Sequence, residues 1–241
     1  MRILAIDTSN QTLSVAVCED NKILGEFTST VKKNHSITLM PAITELMTVC
    51  QLKPQELDRI VVAQGPGSYT GLRIGVTTAK TLAYTLKKEL VGISSLKVLA
   101  ANCINISGLI VPVFDARRNN VYTGAYTFNK ETEAWETIIS DRHISMSDWL
   151  KQLQSYPAVY FVGEDIEKFR EQIEQELPDS SLNTYPQWQI PSSAAAAFLG
   201  AVEEPVEEIH TFLPDYLKRV EAEENWLKEH SMGDESYVEK I

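Results

Sequence analysis

Two aspartates, each closing an apolar run that predicts a strand, are the side chains best placed for phosphate or metal chemistry. They are Asp7 and Asp115. Turns that bind phosphate after such a strand carry glycine two residues beyond the aspartate, because a backbone without a side chain can approach the phosphate. Ser9 and Arg117 stand at those positions here. The pattern therefore predicts a vestigial phosphate loop at Asp7, Ser9 and Asp115, without a working nucleotide site.

The most distinctive segment is glycine-rich and runs from residue 65 to residue 75, with the sequence GPGSYTGLRIG. It lacks the Gly-Lys-Ser/Thr ending of a Walker loop and the glycine spacing of a dinucleotide-binding turn. A strand followed by glycines and a helix can also hold an anion at the helix N-terminus, and that alternative stays open.

The residue spacing gives little support for metal or nucleophilic chemistry. The four histidines form no HxxxH or HExxH pair, and the three cysteines form no CxxC pair. Ser68 does not lie in a nucleophile-elbow context. We therefore predict no catalytic residue, no metal site and no cofactor bound by this chain alone.

Two helices are predicted, at residues 36–52 and 71–88. Both have more apolar and small residues than a helix needs to pack on one face of a sheet. Glycine and alanine recur every four residues along the second helix, which predicts a ridge on which another helix packs closely. The excess can face the neighbouring helix or another protein, and we favour the second. The predicted partner interface consists of Leu39, Met40, Ile43, Met47, Gly71, Arg73, Gly75, Thr78, Ala79, Leu82 and Ala83.

The charge of the chain is negative and uneven. The net charge is −11, and residues 203–241 hold 12 acidic and 4 basic residues, a net of −8. Because nucleic-acid backbones require clustered Lys and Arg, we expect contact with RNA only through a partner. No apolar run reaches the roughly 20 residues needed to cross a bilayer, and no secretory signal is recognisable, so we expect a cytoplasmic location without a membrane contact.

The predicted elements repeat. Each half reads β-β-β-α-β-α and opens on an apolar strand that ends in aspartate, which indicates a duplicated α/β lobe. We place the N-terminal lobe at residues 1–104, as the partner-binding lobe, and the C-terminal lobe at 105–205. Residues 206–241 form an acidic tail, in which 216–230 are predicted to be a charged helix.

Several segments together resemble one known family. The glycine-rich segment extended to Gln64 is close to the signature of the TsaB (YeaZ) family, the bacterial partners of TsaD. Other segments follow in family order: Ile6-Asp7-Thr8-Ser9, His35-Ser36, Met40-Pro41, Ser94-Ser95-Leu96, Asp115-Ala116-Arg117, Val121-Tyr122 and Pro214-Asp215-Tyr216-Leu217. The resemblance covers essentially the whole chain. It implies an actin-like/hexokinase-like (ASKHA) fold, duplicated into two lobes of mixed sheet with helices, with a reduced C-lobe.

The resemblance also implies a function. Members act as non-catalytic scaffold or activating subunits of the complex that makes threonylcarbamoyladenosine in tRNA. They bind TsaD through helices of the N-lobe and help recruit the ATPase TsaE, while ATP and metal belong to the partner subunits. Ser95 and Leu99 stand where TsaD has its metal-binding histidine pair. Without TsaD, we expect the same apolar surface to favour a homodimer.

Two other functions remain as alternatives. One is an ATP-dependent small-molecule kinase that uses Asp7 and Asp115. The other is an inactive metallopeptidase homologue, which only the historical naming of such relatives suggests.

Overall fold

The computed structural model describes residues 1–31 and 34–218, and its first lobe is built on a five-stranded mixed sheet. The strands are β1 (Arg2–Asp7), β2 (Leu13–Glu19), β3 (Lys22–Ser29), β4 (Arg59–Gly65) and β5 (Glu89–Ser94), in the order β3-β2-β1-β4-β5. The first three form an antiparallel meander, and β4 and β5 run parallel to β1.

The second sheet repeats this plan. It contains β6 (Leu109–Arg117), β7 (Asn120–Asn129), β8 (Ala134–Ser145), β9 (Val159–Val162) and β10 (Ser181–Leu182), in the order β10-β9-β6-β7-β8. A meander followed by two parallel strands occurs again, so both order and direction match the first sheet. The equivalence confirms the predicted duplicated actin-like fold.

Helices cover both faces of the first sheet. The helices α1 (His35–Val49) and α2 (Tyr69–Leu86) pack on the face formed by Leu4 and Ile6 of β1. The opposite face, with Ile3 and Ala5, packs against α3 (Ser95–Ala101) and α6 (Ser193–Val202). Because successive strand side chains point to opposite faces, β1 must be apolar at every position, as its sequence is.

The second lobe is smaller in its helical layer. The helices α4 (Met146–Leu153) and α5 (Arg170–Glu176) have 8 and 7 residues, against 15 and 18 for α1 and α2. A 3₁₀ segment at Glu164–Phe169 precedes α5. Strand β8 extends to Ser145, whose side chain caps α4.

The helix α6 packs on the first lobe although the sequence division at residue 205 assigns it to the second. Its small side chains allow close contact: a Cβ added to Gly200 would lie 2.5 Å from Val61. Both helix ends are also bound by the first sheet. Glu26 accepts a hydrogen bond from the Ala194 amide, and the Arg59 guanidinium donates to the carbonyl oxygen of Gly200 at 2.6 Å.

Residues 206–218, which we name the C-terminal strap, lie along β4, α2 and β5. The Val206 amide donates to the Leu90 carbonyl, and the Asp215 amide donates to the Gln64 carbonyl. Midway between them, Lys80 Nζ donates to the carbonyl oxygens of His210 and Phe212 at 2.9 and 2.6 Å. The start of the predicted acidic tail is therefore part of the first lobe. The predicted helix 216–230 is not formed at 216–218, and its remainder lies outside the described residues.

Candidate functional site

A cleft of about 870 Å³ separates the two lobes. Its walls are the turn after β1, the glycine-rich segment, the end of β6 and the end of the strap. Its volume is in the range of small-molecule sites, so we examined whether the groups that handle phosphate or metal are available in it.

Asp7 is closed off from this cleft. Its side chain is fully buried, and its Oδ1 accepts a hydrogen bond of 2.8 Å from the Ser9 amide. The other oxygen, Oδ2, has no hydrogen-bond partner within the part of the chain that the structure describes. Burial raises the pKa of the Asp7 carboxyl, although the Ser9 amide opposes the shift. A carboxyl enclosed in this way is not available to hold metal or water against a phosphate.

The glycine-rich segment packs directly on the turn after β1. The Ser68 amide donates to the Ser9 carbonyl at 2.6 Å, and Thr8 Oγ1 donates to the Gly71 carbonyl at 2.7 Å. A Cβ added to Gly71 would lie 2.1 Å from the Thr8 carbonyl oxygen, and one added to Gly75 would lie 2.4 Å from Thr8 Oγ1. The glycines thus admit the chain's own backbone where related phosphate loops admit a ligand.

This packing corrects the predicted partner ridge. Gly71, Gly75, Ala79 and Ala83 are buried and face the first sheet and the turn after β1. The four-residue spacing did indicate close packing, but the neighbour is internal. Large substitutions of these residues are therefore expected to disturb folding before they affect docking.

The remaining predicted interface residues divide into two groups. Leu39, Ile43 and Met47 have at most 5% of their surface exposed and belong mainly to the core of the first lobe. The accessible ones are Met40 and Arg73, which are exposed, and Thr78 and Leu82, which are half-buried.

Asp115 repeats the local geometry of Asp7 in different surroundings. Its Oδ1 accepts a hydrogen bond of 2.8 Å from the Arg117 amide, as Asp7 accepts one from Ser9. Its Oδ2 pairs with Lys168 Nζ at 2.8 Å. Partial burial alone would raise its pKa, but Lys168 and the Arg117 amide outweigh this effect and lower it. Arg117, at a φ of 68°, lies in the cleft wall where a glycine would be required for phosphate.

A partly buried polar network between the lobes was not predicted from the sequence. Asp141 of β8 accepts hydrogen bonds from the Tyr126 hydroxyl and from Ser94 Oγ, the latter at 2.5 Å. Ser94 also caps α3 by accepting a hydrogen bond from the Lys97 amide. Burial raises the pKa of Asp141, against the opposing hydrogen bonds from Ser94 and Tyr126. An irregular register between β7 and β8 turns Asp141 inward. The alternation of apolar and polar residues along a strand does not predict where such a bulge occurs.

The residues at the place of the metal-binding pair in TsaD are core residues. Ser95 and Leu99 lie in α3 and are fully buried. Across residues 1–31 and 34–218, no three His, Cys, Asp or Glu side chains are grouped so that they could hold a metal ion. Serine and leucine do not supply the nitrogen donors of a histidine pair, so these positions do not fit the metal that the resemblance assigns to TsaD.

A second cavity, an apolar groove of about 180 Å³, opens between α1 and α2. Glu45 is the only Asp, Glu, Lys or Arg residue of α1, and α2 has Arg73 and Lys80, of which Lys80 is bound to the strap. The residues of α1 and α2 in the groove wall that are exposed or half-buried, which we call the docking face, are Met40, Thr44, Thr48, Leu82 and Leu86. This uncharged surface is the accessible portion of the apolar excess seen in the sequence.

Among the described helices, none combines the length and the apolar character that crossing a membrane requires.

Comparison with known proteins identifies the family. A family model described as TsaD, tRNA N6-adenosine threonylcarbamoyltransferase, matches residues 22–226. A Bacillus subtilis protein named tRNA threonylcarbamoyladenosine biosynthesis protein TsaB is 42% identical over 229 residues, which cover 95% of this chain and 99% of that protein. An Escherichia coli protein of the same name is 30% identical over 128 residues, which cover 52% of this chain and 55% of that protein.

A solved structure shares the fold. An uncharacterized Pseudomonas aeruginosa protein with similarity to peptidase YeaZ superposes with a TM-score of 0.76 at 22% identity, over 90% of this chain and 99% of that one. Together with the identity to the Bacillus subtilis protein over nearly the full length of both chains, this confirms the resemblance in the sequence. The chain belongs to the TsaB (YeaZ) family.

Proposed function

We propose that this chain is a non-catalytic subunit that binds and activates a TsaD-type threonylcarbamoyltransferase in the synthesis of threonylcarbamoyladenosine in tRNA. The observation that carries the proposal is the apolar, uncharged groove between α1 and α2, which residues 1–31 and 34–218 leave uncovered. The pathway is the one named for the relative that is 42% identical.

The docking face has the properties of a helix-binding surface. Met40 is 43% exposed although it is the largest apolar side chain on the rim of the groove. A contiguous exposed apolar surface with a rim of polar residues usually marks a site at which another protein binds. A family model described as TsaD matches residues 22–226 of this chain, which supports a partner of the same fold with helices that correspond to α1 and α2. Pairing of equivalent helices from the two proteins would close the groove.

We infer that the chain is not catalytic from the burial and pairing of the side chains in and beside the cleft. Asp7 is buried, Asp115 is paired with Lys168, and Arg117 occupies the turn position that needs glycine. A small-molecule kinase requires an accessible carboxylate beside the phosphates, and Asp7 is not accessible. A metallopeptidase requires metal ligands, for which Ser95 and Leu99 are unsuitable.

The proposal includes further components that the resemblance implies. The ATPase TsaE joins the complex, ATP and metal are held by the partner subunits, and tRNA is contacted through the complex. The complex acts in the cytoplasm. Without TsaD, two copies of this chain pair through the same docking face.

The test compares two matched substitutions. Met40→Lys places a charge on the docking face, and Ile138→Lys places one on β8, at a residue with a similar exposure of 42% against 43%. Leaving a charge buried without a partner costs about 3–5 kcal/mol, so we expect Met40→Lys to weaken binding to TsaD about a hundredfold or more. Ile138→Lys should bind like the parent. Equal binding by both folded variants, measured by calorimetry and size-exclusion chromatography, would refute the proposed interface.

A further inference from the structure

Two threonines on the docking face have turned their hydroxyl groups back onto their own helix. Thr44 Oγ1 donates to the Met40 carbonyl at 2.9 Å, and Thr48 Oγ1 donates to the Thr44 carbonyl at 2.8 Å. Both residues are exposed, and both line the groove. A hydroxyl has a single hydrogen, so neither group can donate to a partner while this bond is kept.

This arrangement makes the surface more apolar than its residue types suggest. A threonine bonded in this way offers a partner its methyl group and an oxygen whose hydrogen is already used. Burial of a hydroxyl is unfavourable mainly when its hydrogen bond to water is lost without replacement. Here the replacement is made within α1 before any partner arrives, so Thr44 and Thr48 can be buried with little loss.

We propose that the docking face selects an uncharged apolar helix of the threonylcarbamoyltransferase, and that Thr44 and Thr48 bind it through their methyl groups and not through their hydroxyls. This inference rests on the proposed function. The choice of an uncharged helix follows from charge: each residue of the groove wall is neutral, so a charged side chain buried there would find no counter-charge. The equivalent helices of a partner with the same fold are the elements that can reach the groove.

Two double variants separate the methyl groups from the hydroxyls. Thr44→Val with Thr48→Val keeps the shape and removes the hydroxyls, so its dissociation constant for the transferase should stay within about threefold of the parent, a change of less than 1 kcal/mol. Thr44→Ser with Thr48→Ser keeps the hydroxyls and removes two methyls. Each buried methyl is worth about fourfold in affinity, so the serine pair should weaken binding by about tenfold or more.

A third threonine provides the control. Thr211 in the strap is exposed and also bonds to its own backbone, at 3.0 Å from the Glu208 carbonyl, but it lies outside the groove. Thr211→Val and Thr211→Ser should both bind like the parent. Calorimetric titration with the purified transferase measures the affinities, and circular dichroism verifies that each variant is folded.

The possible results are distinct. The inference is overturned, with the proposed function left in place, if the dissociation constant of the valine double variant rises by more than about threefold. It is also overturned if the serine double variant binds like the parent. Absence of binding by the parent chain itself refutes the proposed function. Retained affinity in the valine pair together with weakened affinity in the serine pair supports the methyl contact.

Discussion

Asp7 and Asp115 occupy equivalent turns of the two lobes, yet their surroundings shift their pKa values in opposite directions. Burial raises the pKa of Asp7, while Lys168 and the Arg117 amide lower that of Asp115 against partial burial. Replacing each aspartate by asparagine keeps the Oδ1 acceptor of the turn and removes the ionisable group. We therefore expect Asp7→Asn and Asp115→Asn to change the free energy of unfolding with opposite signs.

The sign for Asp7 follows from linkage. A carboxyl whose folded-state pKa is raised favours folding at a pH below its unfolded pKa of about 3.9, and this contribution is lost as the pH rises through the folded pKa. An unpaired buried polar group costs about 1–3 kcal/mol, and more when charged. Asparagine is also a buried polar group, so it keeps the cost of an unpaired uncharged group but loses the additional cost of the charge. At pH 8 we therefore expect Asp7→Asn to raise the free energy of unfolding by about 1 kcal/mol or more. The corresponding rise in melting temperature is about 2–4 °C for each kcal/mol.

The sign for Asp115 is reversed. Its lowered pKa contributes stability that is present above about pH 4 and is lost as the pH falls through the folded pKa. Because 56% of the Lys168 side chain and 25% of the Asp115 side chain are exposed, solvent screens the pair. Pairs of this kind contribute about 0.2–1 kcal/mol, so Asp115→Asn should destabilise by that amount at pH 8 and by less near pH 3.

Urea unfolding of the parent and of both variants, at several pH values between 3 and 8, measures these differences. The advantage of Asp7→Asn should be absent at acid pH and grow as the pH rises. If Asp7→Asn destabilised the protein by the same amount at every pH, the carboxyl would not be a buried, poorly compensated group, and the conclusion that Asp7 is shut off from the cleft would fail.

Two further predictions concern the glycine-rich segment and the strap. Gly71→Ala should destabilise by about 1–3 kcal/mol, because the added Cβ overlaps the Thr8 carbonyl and overpacking outweighs the gain of about 1 kcal/mol in helix propensity. Thr85→Ala, at an exposed position of the same helix, should be neutral or stabilising in the same urea assay, and an equal effect of both would contradict the packing. Lys80→Met should speed amide hydrogen exchange across 206–218, because it removes two of the hydrogen bonds that hold the strap, and unchanged exchange would contradict this anchoring.

Local signals in the sequence were sufficient for most elements and for the duplicated plan. Strands of the first sheet begin and end where alternating or continuous apolar runs meet turn residues. Ser192 caps α6, because its side-chain oxygen accepts a hydrogen bond from the Ala195 amide in the first turn. The family, too, is readable from the glycine-rich signature and the segments around it.

The lobe to which α6 belongs, the bulge that directs Asp141 and the path of the strap were decided by tertiary structure. Each depends on contacts between segments far apart in the chain. Arg59 meets the end of α6 across 141 residues, and Ser94 meets Asp141 across 47. The periodicity of residues within a single helix or strand carries no information about such distant neighbours.

The glycine and alanine ridge of α2 illustrates the division most clearly. Its spacing determined that something must pack closely there, because only small side chains admit a backbone. Which backbone it is could not be read from the spacing, and Thr8, 63 residues before Gly71, occupies the position expected for a partner. A periodic pattern fixes the character of a surface, whereas the neighbour that covers it is chosen by the packing of the whole chain. The docking face that we propose for a partner is therefore the groove beside the ridge, which the folded arrangement of α1 and α2 creates.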